Sequence, residues 1–314
     1  MKAALYDPDG GYYTRSDLPR WGREGDYRTS PERSELFAAT FARYFARLYV
    51  ELQRPAQWTI VEAGPGARDF AAGVQRALHD YQPQYVFVET TGELEKLPPL
   101  KAGIIFSNEL LDAFPVHRLI QTADGLAEFY VAVEGERFVW STGSLSTPRL
   151  LDFCREYAIE LEQGQIVEVN FHLDRWLEIV AGKLEAGYLI TVDYGAESSD
   201  LYDVALRPHG TLRAFSQHDF VDDVLDQPGD YDITASINWS QVQAVGARFG
   251  FETVAFAPQD RFLIDAGLLD EFQRALSRAT TDAEKLSIST GAREMILPGG
   301  MGSSFQVLVQ KKGT

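Results

Sequence analysis

Apolar residues recur along this chain with two different periods. Trp58-Thr59-Ile60-Val61-Glu62-Ala63 is a short apolar run closed by Gly64-Pro65-Gly66, and Tyr85-Val86-Phe87-Val88 is a second run that ends at Glu89. Between them Phe70, Val74 and Leu78 share one helical face before Pro83. Short apolar runs bounded by glycine read as buried strands and the four-residue spacing reads as helix, so the stretch predicts a βαβ unit. Parallel pairing with a right-handed crossover then brings the glycine turn and Glu89 to one carboxyl edge, where open α/β sheets take their ligands.

The same reading extends over the rest of the chain. Residues 102–107 predict a further buried strand that runs out into Asn108-Glu109-Leu110-Leu111-Asp112. Residues 117–147 change to apolar runs joined by Ala123-Asp124-Gly125 and Glu134-Gly135, the pattern of an antiparallel meander. A helix over 148–161, a short strand or loop over 164–170, a helix over 173–184 and a core strand over 187–195 follow. Residues 207–234 show no periodicity and read as a loop, their aromatic content favouring a lid over disorder. A helix over 241–249 and two closing strands at 251–256 and 304–310, separated by helices between 260 and 293, complete an α/β chain. Near the start, Ser30 before Pro31 marks a helix N-terminus, and the helix carries Phe37, Phe41, Tyr44, Phe45 and Leu48 on one face. The loop before it, with Gly22, Gly25 and Thr29, is suited to close over a ligand at the sheet edge.

Charge narrows the partners. The chain has 314 residues and a formal charge of −17; residues 1–50 carry +1 and the remainder −18. Phosphate binding needs a basic surface, so nucleic acid is a poor partner, whereas cationic ligands and arginine-bearing peptides are favoured. Cys154 is the sole cysteine, which excludes an internal disulfide and a cysteine-based metal cluster, so no metal site is expected. With no run approaching ~18 apolar residues, no membrane insertion is expected, and a cytoplasmic location is the default.

Charge also decides what the glycine turn holds. Gly64 and Gly66 let a flat nucleoside approach bare main chain, and Glu89, 25 residues after Gly64, is placed to accept from a ribose diol. A dinucleotide fingerprint needs a third glycine and room for phosphate. This chain has Arg68 and Asp69 there, and the Asp69 carboxylate in the first helical turn repels phosphate. A nicotinamide oxidoreductase is thereby disfavoured. S-adenosylmethionine, a sulfonium with adenosine and no phosphate, fits.

Several longer strings carry a family resemblance: Asp7-Pro8 to Gly11-Tyr12-Tyr13, Gly25-Asp26-Tyr27 to Glu32, Glu62-Ala63-Gly64-Pro65-Gly66, Ser107-Asn108-Glu109-Leu110-Leu111-Asp112-Ala113-Phe114-Pro115-Val116, Val192-Asp193-Tyr194-Gly195, Gly210-Thr211-Leu212-Arg213 and Asp232-Ile233-Thr234. In these the chain resembles the MidA family of class I S-adenosylmethionine-dependent methyltransferases, whose mitochondrial members are protein arginine methyltransferases required for respiratory complex I assembly. The resemblance implies a Rossmann-like sheet with a terminal antiparallel strand pair. It implies a loop and helical cap over 1–50, a core over 51–116 and 160–314, and an inserted β-meander and helix over 117–159. It also implies a protein substrate, arginine-bearing, with a respiratory complex subunit as one form of it. The chain departs from the family at Arg68, where a glycine is usual, and in the short segment between Glu89 and Ser107, where a strand-helix unit is missing.

The cofactor-binding candidates are therefore Glu62, Gly64, Pro65, Gly66, Glu89, Asn108, Gly25 and Thr29. The catalytic candidates are Glu109 and Asp112, whose carboxylates suit a guanidinium fork, and Asn108; Asp193 at the neighbouring strand end is weaker. Alternatives that the residues leave open are a small-molecule methyltransferase and a degenerate fold that serves as a non-catalytic assembly or binding protein.

Overall fold

The computed structural model describes residues 1–15, 17–18, 35–216, 219–221, 223–296 and 304–313. In chain order the strands are β1 (Thr59–Ala63), β2 (Gln84–Val88), β3 (Gly103–Asn108), β4 (His117–Thr122), β5 (Gly125–Glu134), β6 (Arg137–Gly143), β7 (Ile166–Val169), β8 (Gly187–Ala196), β9 (Arg213–Ser216), β10 (Asp219–Val221), β11 (Asp232–Thr234), β12 (Ile237–Asn238), β13 (Phe251–Pro258) and β14 (Phe305–Lys312). They fall in two compact units, one within residues 1–27, 111–175 and 195–244, the other within 28–110, 176–194 and 245–314.

The second unit holds the sheet β13-β14-β8-β3-β1-β2, with β1, β2, β3 and β8 parallel and β13 and β14 forming an antiparallel pair at one edge. Its βαβ start is the predicted one: the helix Asp69–Ala77 joins β1 to β2. Only the helix Thr91–Lys96 lies between β2 and β3, and β2 is the edge of the sheet, as the short segment after Glu89 led us to expect. One face is covered by the helix Glu35–Glu51, whose Phe37, Phe41, Phe45 and Leu48 are buried. Phe41 meets Phe106 of β3 at 5.1 Å, and Phe106 stacks on Phe70 at 4.5 Å between ring centroids. Aromatic burial of this kind makes the strand order rigid, because each ring contributes roughly 2–3 kcal/mol of apolar burial and its own packing geometry. The expected N-cap at Ser30 and Pro31 lies outside the described residues.

The first unit contains the predicted meander, β4, β5 and β6, and the chain returns to pair β7 with β4 in the order β6-β5-β4-β7. The helix expected over 148–161 is shorter, Arg149–Glu156. Residues 207–234 are not an open loop: they contain β9, β10 and β11, an antiparallel sheet ordered β10-β9-β11. These strands are three or four residues long, too short for alternation to stand out in a sequence.

One buried pair fixes the approach to that small sheet. Arg118 Nε lies 3.3 Å from Glu168 Oε1, and the other carboxylate oxygen accepts from the Thr211 backbone N–H at 2.6 Å and from its hydroxyl at 3.1 Å. Burial pushes the Glu168 carboxyl up, and the Thr211 N–H and the Arg118 charge oppose that rise. Gly210 sits at φ +75°, where a Cβ would lie 2.4 Å from Glu168 Oε1. The Gly210-Thr211 string therefore has a structural cause: only glycine lets the main chain close on the carboxylate. Gly210→Ala is expected to cost about 2 kcal/mol or more in urea unfolding, through a positive φ and a displaced buried charge. Gly164→Ala, at φ +85° with nothing within 4 Å of its Cβ, is expected to cost only about 1 kcal/mol. Equal losses for the two would show that the carboxylate does not matter.

Candidate functional site

Register places the exits of three strands side by side. Ala63 of β1 is level with Val88 of β2 and with Ser107 of β3, so Gly64, Glu89 and Asn108 leave the carboxyl edge as neighbours. The connection after β1 runs to one side and the connection after β2 returns to the other, which makes the β1–β3 crevice the point where strand order reverses.

The turn itself is held open by backbone conformation. Gly64 has φ +66° and Gly66 φ +53°, and a Cβ on Gly64 would stand 3.0 Å from Leu110 Cδ1. Arg68 follows in the left-handed region at φ 64°, an uncommon place for a side-chain-bearing residue. Its guanidinium lies 4.6 Å over the Phe87 ring and 3.7 Å from Glu89 Oε1. Both side chains are more than half exposed, so the ion pair is worth roughly 0–1 kcal/mol and is readily exchanged for a ligand. Phe70 does not fill the crevice; it is buried against Phe106 on the covered face.

Glu62 lies beneath the turn and is 4% exposed. It accepts a 2.7 Å hydrogen bond from the Tyr85 hydroxyl. Burial raises its carboxyl to about 7, against the opposing pull of Tyr85 and Arg68. At the end of β3, Asn108 Nδ2 donates to Glu109 Oε1 at 3.1 Å, and Glu109 has φ 53°, a strained backbone of the kind that collects at functional sites. Asn108 Oδ1 is buried without a hydrogen-bond partner among the described residues, an acceptor left over at the crevice edge. Bare main chain, an exposed carboxylate just after β2 and an unused amide oxygen together fit a nucleoside bearing a donor-rich cationic tail. Asp193 is fully buried, and its Oδ1 accepts from the Tyr194 N–H at 2.9 Å.

Asp112 belongs to the other compact unit. It is 5% exposed, and its carbonyl accepts from the Ala235 N–H at 2.9 Å. There the Tyr13 hydroxyl donates to Asp232 Oδ1 at 2.8 Å and the Tyr6 hydroxyl to the Ala113 carbonyl at 3.0 Å. The phenols of Tyr6 and Tyr13 are pushed well up, first by burial and then by the charges of Asp112 and Asp232. Sequence reasoning gave Tyr6, Tyr13 and Asp232 no role. Their signal was the pair of strings Gly11-Tyr12-Tyr13 and Asp232-Ile233-Thr234, polar tips in apolar settings far apart in the chain. Gly25 and Thr29, expected over the sheet edge, lie outside the described residues.

A parallel sheet with this turn, this reversal and this edge chemistry is the frame of a nucleoside-cofactor enzyme of the class I methyltransferase type. The chain belongs to the family described as "Putative S-adenosyl-L-methionine-dependent methyltransferase", which matches residues 87–257, more than half of it. That match opens within β2, so it takes in Glu89, Asn108, Glu109 and Asp112 and stops short of the glycine turn. Over its whole length the chain is similar to the mitochondrial protein arginine methyltransferase NDUFAF7 homologue of Drosophila melanogaster, 23% identical and covering 80% of that protein. It is also similar to human mitochondrial protein arginine methyltransferase NDUFAF7, 22% identical over 97% of this chain and 77% of that protein. Two crystal structures from Burkholderia thailandensis superpose on 99% of the chain and 86% of theirs. One, bound to S-adenosyl-homocysteine, has a TM-score of 0.88 at 25% identity, and the other, a native structure, 0.83 at 26%. The cytoplasmic expectation is corrected here, since the named relatives are mitochondrial proteins. No described helix is long and apolar enough to cross a membrane.

Two measurements follow from this geometry. Arg68→Gly removes both the clasp on Glu89 and a strained side-chain-bearing residue, so S-adenosylmethionine is expected to bind about two- to ten-fold more tightly by equilibrium dialysis; weaker binding would show that Arg68 holds the ligand. Glu62 carries a folded-state pKa above its ordinary 4.5, so the folded state binds the extra proton between there and about 7. Its contribution is full below 4.5 and is lost as pH rises toward 7. Glu62→Gln keeps an acceptor for Tyr85 and is expected to gain about 1–3 kcal/mol over wild type between about pH 5 and pH 8 in urea unfolding. A constant difference across that window would contradict a raised Glu62.

Proposed function

We propose that this protein transfers a methyl group from S-adenosylmethionine to the guanidinium of an arginine in a protein substrate. The observation that carries the reading is the Asn108–Glu109 pair, on strained backbone at the strand exit beside the glycine turn. When bound, S-adenosylmethionine supplies a methyl carbon already activated by its sulfonium. Gly64, Pro65 and Gly66 offer it main chain, Glu89 accepts from its ribose, Asn108 accepts from its cationic end, and the Glu62 carboxylate lies beneath.

The acceptor end asks for carboxylates. Glu109 holds the planar guanidinium by charge-assisted hydrogen bonds, which localises positive charge on the nitrogens that do not react and leaves a lone pair on the one that does. On taking the methyl group the acceptor nitrogen would have to give up a proton, to a carboxylate or to water, with the demethylated cofactor as the leaving group. Asp112 is a second candidate carboxylate, in the first unit, where its charge acts on Tyr6 and Tyr13. The acidic body concentrates basic protein near the enzyme. That the mitochondrial relatives are protein arginine methyltransferases supports arginine as the acceptor, and the family resemblance extends the proposal to a respiratory complex subunit as the protein that carries it.

A second reading, a non-catalytic assembly or binding protein, is favoured by one observation, the Arg68 guanidinium resting on Glu89. Incubation of the purified protein with tritiated S-adenosylmethionine and arginine-rich protein is expected to label arginine, and Glu109→Gln to lower turnover by about 10²-fold or more with the fold intact. Unchanged turnover in that variant removes Glu109 from the chemistry. Absence of label in every form leaves the small-molecule and the non-catalytic readings.

A further inference from the structure

Strand β5 pairs with β4 only over Gly125–Glu128, while its pairing with β6 continues from Glu128 to Glu134. Residues 129–134 and 137–142 thus continue past β4 as a two-stranded ribbon, and β6 is an edge of its sheet along its whole length. In register Val131 stands opposite Trp140 and Val133 opposite Phe138, and Phe129 has the same parity, so five apolar side chains share one face of the ribbon. Val131 is 49% exposed, Val133 66% and Phe138 45%. The Arg118 guanidinium packs over the Phe129 and Trp140 rings at 5.2 and 5.1 Å, which covers only the base of that face.

A lone two-stranded ribbon is marginal in water, and exposed apolar edges are normally blunted unless they are used. Apart from Arg137 at its start, β6 carries no charged residue or proline to blunt its edge. Glu134 closes β5 opposite Arg137 and Glu136 lies in the turn, both exposed, and the whole chain carries −17. That charge opposes a second copy of the same chain and attracts a cationic segment.

We propose that the β5–β6 ribbon docks an extended segment of the protein acceptor by strand addition along β6, with its apolar side chains on the Val131, Val133, Phe138 and Trp140 face and its basic ones toward Glu134 and Glu136. Backbone pairing supplies affinity, and the alternation of apolar and basic residues supplies selectivity. The inference takes the protein substrate from the proposed function and adds the surface that recognises it.

The test uses the full chain and a fluorescein-labelled Arg-Val-Arg-Val-Arg-Val peptide, read by anisotropy and by amide exchange. Saturable binding is expected, with protection of the β6 amides. Val133→Ser/Phe138→Ser, in which both positions are exposed, is expected to melt as wild type does and to bind about ten-fold more weakly, as is a Glu-Val-Glu-Val-Glu-Val peptide on wild type. Equal binding by the double variant overturns the proposal. So does sedimentation showing a wild-type dimer that this variant dissociates, since a second copy would then occupy the ribbon. Because binding is read without methyl transfer, peptide docking with no labelled arginine refutes only the proposed reaction. Labelling of a short arginine peptide with no docking refutes only the ribbon.

Discussion

The whole site depends on main chain that carries no side chain where β1 ends. Gly64 and Gly66 both take positive φ, and the space that a Cβ on Gly64 would need is already bounded by Leu110. A flat group is thereby admitted against peptide atoms and a bulky one is not. Around that opening the sheet sets three different electrostatic conditions within one register: Glu62 buried and proton-hungry, Glu89 in solvent, and Asn108 with an unused acceptor. Phosphate finds no favourable partner among them, while a cation with a sugar does. The same edge delivers Glu109 on strained backbone, one residue after Asn108, so the proposed cofactor and acceptor residues are consecutive at one strand end.

Arg68 is the point where two effects compete. Its charge neutralises Glu89 and its side chain covers Phe87, yet both partners are solvated and the pair is weak. A weak exposed pair is one that a multidentate ligand can displace, so Arg68 leaves the crevice open to exchange. With only the helix Thr91–Lys96 between β2 and β3, β2 is a bare edge of the sheet beside Glu89.

Much of this was legible in the sequence. The strands β1, β3 and β8 are near-continuous apolar runs because they are buried on both faces, and such runs announce themselves; β2, the half-buried edge strand, is apolar enough to read the same way. The aromatic helix announced itself by spacing. What stayed hidden depends on contacts between distant residues. Glu168 is 42 positions before Gly210, and no local pattern says that one requires the other. Tyr85 sets the environment of Glu62 from the neighbouring strand, and Tyr13 meets Asp232 across 219 positions. The strands of the small sheet were missed for another reason, their brevity. The cytoplasmic expectation failed because a lack of long apolar segments says nothing about the compartment a chain occupies.

The central claim is that a phosphate-free cationic nucleoside occupies the Gly64–Gly66 crevice with its sugar on Glu89. Isothermal titration of the purified protein with S-adenosyl-homocysteine and, separately, with NADH tests it most directly, with Glu89→Ala as the control. The account predicts saturable binding of the first at micromolar concentration, loss of most of that affinity in the variant, and no binding of the second. Binding of NADH in place of S-adenosyl-homocysteine, or affinity for the latter that Glu89→Ala leaves untouched, would contradict it.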